Sequence, residues 1–171
     1  MQTKIDTRLT HWMAAHGVAL LRISIGVIFL WFGFIKYFPG FSPIEGLAIR
    51  TMTVLTFDIF SPGTMAVALA TLECLIGIGL VTGKFLRSTL ILLFFQLVGA
   101  ISPVFIFPDE VFNIIPIVPT LAGQYIIKDT VLISAGILIG GTVRGGKIIA
   151  DPLIAEKAKI VEDIKIDKEN N

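Results

Sequence analysis

Glu73 stands alone among apolar residues in the run TMAVALATLECLIGIGLV, residues 64–81. As a helix rising about 1.5 Å per residue, this run just crosses a bilayer core and sets the carboxylate near the midplane. An ionisable group at that depth is costly, faces a bundle interior or a wet cavity, and is a functional-site candidate by default. Arg22 and Lys36 sit toward opposite ends of the apolar run 18–38, and Gln96 lies near the middle of the run 88–107. These positions suggest a bundle polar site of Arg22, Glu73 and Gln96, with Arg22 reaching Glu73 from an adjacent antiparallel helix. Paired, Glu73 stays ionised and holds two helices in register; unpaired, it is free to exchange a proton or to bind a ligand. An outer polar cluster is expected from Lys36 with Lys128 and Asp129, which open the last apolar run. A quinone head group or a small oxidised solute needs such a pocket: apolar walls, a few donors and one proton-exchanging group.

Each of these residues also has a plainer role open to it. Lys36 and Lys128 suit interfacial anchoring, an Arg22–Glu73 pair suits helix registration, and Gln96 suits an interhelical hydrogen bond. His11 and His16 are five apart on an amphipathic segment, a poor spacing for shared ligation, so no metal or haem site is expected. The single cysteine, Cys74, has no partner for an intramolecular disulfide and reads as a small apolar residue. No nucleotide loop, metal-ligand cluster or hydrolase triad is visible, and no catalytic residue is assigned.

The elements that must carry these side chains follow from composition. Of 171 residues 54% are hydrophobic and 16% charged, with 13 phenylalanines, which marks an integral membrane protein whose first partner is the lipid bilayer. A net charge of +1, with basic residues beside apolar runs and not in a stripe, gives no footprint for nucleic acid. Four spans are predicted, at 18–38, 64–81, 88–107 and 125–143, within a membrane domain 1–147 followed by a cytoplasmic tail 148–171. The amphipathic N-terminus lacks a small-residue cleavage site and reads as a retained helix. The fold class is all-α: a four-transmembrane-helix bundle with a short interfacial helix between spans 1 and 2.

Helical spacing places Arg22, Gly26, Gly33 and Lys36 on one face of the first span, a face that should point into the bundle. Ser42-Pro43-Ile44-Glu45 has the form of a helix start, with Ser42 as N-cap. That helix is expected to reach Leu55, to lie on the surface with Ile44, Leu47 and Ala48 toward the apolar phase, and to lid one mouth of the bundle. Gln96, Gly99 and Pro103 share a face of the third span, where the proline should kink the exit, and 108–124 reads as a loop. Gly136 and Gly140 have the spacing of a close helix contact. The tail opens with the helix signal Asp151-Pro152. Lys4, Arg8, Lys84, Arg87, Arg144 and Lys147 fall on one side of the membrane, so the positive-inside rule puts both termini in the cytoplasm.

The segments LRISIGVIFLWFGFIKYFPGFSPIEGL, ECLIGIGLVTGKFLR and GQYIIKDTVLISAG together resemble the DoxX-like superfamily of small four-helix membrane proteins. Within that superfamily they look like the YkgB branch, which includes the reactive chlorine resistance membrane protein C. One departure is Gln124, where that branch often carries an arginine; an anion-binding role is therefore not implied there. The resemblance implies a bacterial inner-membrane location and a link to oxidative or electrophile stress. The expected function is a component of a membrane redox or stress-response system, binding quinone or a small solute or working with a partner membrane or redox protein. A proton-coupled transporter and an accessory scaffold without a small-molecule site are the alternatives, and homo-oligomerisation is compatible with all three.

Overall fold

The computed structural model describes residues 4–169. Helix α1 (Lys4–Ile35) runs without a break from the polar N-terminal segment through the first apolar run. It stops just before Lys36, short of the predicted end at 38, because Pro39 and Gly40 take the chain into a turn in which Gly40 has a φ of 85°. Helix α2 (Glu45–Leu55) is the predicted short helix between the first two spans, but its cap differs from expectation. Ser42 does not cap it with its side chain; Ile44 is the N-cap, and the Glu45 carboxylate reaches back to the Gly40 N–H at 2.7 Å.

Helix α3 (Pro62–Thr82) has sharp signals at both ends. Ser61 caps the start, accepting from the Thr64 N–H at 3.3 Å, with Pro62 as the first helical residue. Gly83 closes the helix in a left-handed conformation, φ 71°, that favours glycine. The third span is broken at Ser102 into α4 (Leu86–Ile101) and α5 (Pro103–Ile106), as expected of a proline that cannot donate to the preceding turn. The stretch expected to be a loop contains α6 (Pro108–Val111) and a small antiparallel pair, β1 (Phe112–Ile114) with β2 (Val118–Pro119). Short alternating segments of this kind fall below what apolar periodicity resolves. Helix α7 (Leu121–Thr142) is capped by Thr120, and α8 (Pro152–Glu169) by Asp151, whose carboxylate accepts from Leu153 and Ile154.

Among the described residues four helical segments, α1, α3, α4 with α5, and α7, are long and apolar enough to cross a membrane. They pack in the order α1, α3, α4, α7, with α7 also touching α1. The larger hydrophobic cluster fills the half of the bundle nearer the start of α1, with Ile76, Leu80, Leu93 and Ile139 fully buried. A smaller one, built on Leu47, Val111 and Ile126, ties α2, α6 and the start of α7 together at the other end. An ion pair between Arg50 and Glu110 adds a tie from α2 to α6, and the Arg50 guanidinium lies 5.7 Å from the Phe107 ring centroid.

The inner surface of α2 corrects the sequence reading. Leu47 is buried, and with Ile44 and Ala48 it faces the bundle interior and not lipid. An apolar stripe on a helix beside a membrane satisfies either environment equally, so the pattern alone could not choose.

Candidate functional site

The site is set by how α1 and α3 meet. A Cβ placed on Gly26 would lie 2.9 Å from the Val81 nitrogen, and one on Gly33 would lie 3.0 Å from the Cys74 nitrogen. The two backbones are therefore in direct contact along this seam, which only hydrogen side chains permit. The helices run antiparallel, so Gly33 lies beside Glu73 while Gly26 lies further along α3, near Gly77 and Val81. Arg22 precedes Gly33 by eleven residues, about 16 Å along the axis at helical rise.

This register overturns the expected Arg22–Glu73 pair. Glu73 is ion-paired with Lys36, which lies about one turn beyond Gly33 and folds back across the seam. Both Glu73 carboxylate oxygens accept from the Lys36 ammonium, and Oε1 also accepts from Gln96 Nε2 at 3.1 Å. Arg22 instead donates to the Leu80 carbonyl at 2.9 Å and packs against Gly83, satisfying the end of α3. Glu73 is only 6% exposed, so its engagement by two donors is what makes its burial tolerable.

These groups form one wall of a cavity of about 550 Å³ lying between the two hydrophobic clusters. Phe29 and Leu97 belong to the larger cluster and form the floor; Leu47 and Ile126 belong to the smaller one and form the roof. Ile28, Phe32 and Val131, from α1 and α7, also line it and are exposed on the bundle surface. Gly99 lies on the α4 wall with no atom within 4 Å of where a Cβ would stand.

The two predicted clusters are thus redistributed. Lys36, Glu73 and Gln96 come together, Lys128 and Asp129 line the same cavity, and Arg22 is elsewhere. The Lys128 ammonium lies 5.5 Å from the centroid of the Tyr125 ring. Asp129 lies within electrostatic range of Glu73 and Lys36, but its carboxylate makes no hydrogen bond or ion pair among the described residues. Thr51 and Tyr125 line the cavity too and were not singled out from sequence. Spacing held the signal for Thr51, since it follows Leu47 by one turn of α2, and its hydroxyl bonds the Leu47 carbonyl at 2.8 Å.

Chemically, the arrangement offers an apolar chamber with polar groups of both kinds. The ammonium of Lys36 has three N–H groups and the amide of Gln96 has two, more than Glu73 occupies, while Asp129 is an acceptor when ionised.

No curated protein and no solved structure matches the chain. The DoxX family model matches residues 17–108, which contain α1 from Gly17 onward, all of α2 to α5, and three of the polar cavity residues, Lys36, Glu73 and Gln96. With four apolar spanning helices built around that match, the chain is an integral membrane protein and belongs to the DoxX family.

Proposed function

We propose that this protein is a component of a membrane redox or oxidative-stress system that holds a quinone-type molecule in the cavity between its helices. The observation that carries this reading is the cavity of about 550 Å³, apolar on most sides and polar at Lys36, Glu73, Gln96 and Asp129. Its size and lining fit a ring-sized head group with an apolar substituent. The exposed lining residues on α1 and α7 suit a ligand arriving from the bilayer. The YkgB-like features of the sequence are the basis for the stress link and for a bacterial inner-membrane setting. With Lys84, Arg87, Arg144 and Lys147 on the cytoplasmic side, the cavity lies toward the outer leaflet.

The alternatives are less well supported. A scaffold without a small-molecule site calls for a packed interior, and these helices border a cavity instead. A proton or solute pathway along the bundle has to pass the cluster around Ile76, Leu80, Leu93 and Ile139, each of them fully buried.

Titration of a short-chain benzoquinone into the purified protein in nanodiscs, followed by calorimetry, tests the reading. Saturable binding at one site is expected, weakened about tenfold by Lys36→Met through loss of a charged donor. Absence of saturable binding to the wild-type protein would overturn it.

A further inference from the structure

The cavity contains two carboxylates in unlike circumstances. Glu73 is engaged through both oxygens by Lys36 and through one by Gln96. Asp129, partly buried on α7, faces the same space with its oxygens unbonded among the described residues. The charged and titratable neighbours around that space are Lys36 on the α1 side, Glu73 on α3, and Tyr125 and Lys128 on α7 itself. Lys36 is paired with Glu73 through two of its N–H groups, and Lys128 lies over the Tyr125 ring. A carboxylate facing an apolar chamber at membrane depth needs a hydrogen-bond donor, and the chain leaves that place to whatever occupies the cavity.

Opposite requirements hold at the other polar wall. Lys36 and Gln96 keep N–H groups beyond those given to Glu73, so they call for an acceptor. A head group that satisfies both walls carries a donor and an acceptor together. A quinone has carbonyl acceptors only; a hydroquinone hydroxyl is donor and acceptor at once. Phe29, Phe32 and Tyr125 supply aromatic surface for a planar ring between the walls.

We propose, resting on the quinone-type reading above, that Asp129 is a specificity-determining residue that makes the cavity select the reduced, hydroxyl-bearing form of its ligand over the oxidised dicarbonyl form. The selection is one of binding: the Asp129 carboxylate accepts a hydrogen bond from the ligand hydroxyl while Lys36 and Gln96 donate to its oxygens.

The test compares a decyl-substituted benzoquinone with its hydroquinone, the latter kept reduced anaerobically, by calorimetry on the full chain in nanodiscs. The wild-type protein is expected to bind the hydroquinone about tenfold more tightly, the scale of one hydrogen bond to a charged acceptor. Asp129→Asn presents an amide that both donates and accepts, and is expected to bring the two affinities within about twofold while retaining quinone binding. Equal wild-type affinities, or a preference that survives Asp129→Asn, would overturn the assignment and leave the quinone-type reading standing. Failure of both ligands to bind the wild-type protein would remove that reading and this inference with it. The wild-type comparison decides even if Asp129→Asn does not fold.

Discussion

The first helix and the turn that ends it place a cation in each half of the bundle, Arg22 within α1 and Lys36 just past it, and the two halves use them differently. Around Arg22 the helices are in close contact: Gly26 and Gly77 let α1 and α3 touch, the hydrophobic cluster is continuous, and the guanidinium closes the end of α3 on the Leu80 carbonyl. Around Lys36 the same helices border a cavity, and the ammonium is one of several polar groups along its wall. The difference arises from what packs between the helices. One half is filled by side chains from all four spans; in the other, the third span breaks at Ser102 and α2 roofs the cavity. A charge that terminates a helix and a charge on a cavity wall do different work, even when they are only fourteen residues apart.

Four single substitutions and one double variant break or sharpen this contrast, in order of expected effect. Lys36→Met leaves Glu73 buried without its ion-pair partner and should cost roughly 3 kcal/mol of stability in a denaturant titration. Adding Glu73→Gln to it should restore more than half of that loss. Gly77→Ala drives a Cβ to 2.8 Å from the Gly26 carbonyl oxygen and should cost about 2 kcal/mol by the same measurement. Arg22→Met removes a charged hydrogen bond to a backbone carbonyl and should cost about 1.5 kcal/mol without altering cavity binding. If Arg22→Met weakened ligand binding as strongly as Lys36→Met, the division between the halves would be wrong. Arg50→Ala removes an exposed ion pair and should change stability by about 0.5 kcal/mol, but it loosens the tie between α2 and α6 and should speed ligand release in stopped-flow measurements.

Much of the scaffold was legible because bilayer thickness demands long apolar runs, and four such runs are plain in the chain. The shared face of Arg22, Gly26, Gly33 and Lys36 was legible too, because helical spacing depends only on local geometry. Interhelical register was not. Which cation meets Glu73 depends on how far α3 slides along α1, and a slide of about four turns exchanges Arg22 for Lys36 as its neighbour. The glycines held the clue: aligning Gly26 with Gly77 brings Gly33 to Glu73 and carries Arg22 away. Nor could sequence tell that α2 turns Leu47 inward, since lipid and a protein interior are equally apolar, or that Asp129 makes no hydrogen bond or ion pair among the described residues, since that depends on the space left between four helices.

Gly99 gives the cavity a dimension that can change over evolution. It lies on the cavity wall in the last turn of α4, and a Cβ placed there has no neighbouring atom within 4 Å. Exchange for alanine should even favour the helix, by about 1 kcal/mol on intrinsic propensity. Homologous chains are therefore free to resize the chamber one methyl group at a time at this position, narrowing the range of guests while the host's own packing stays as it is.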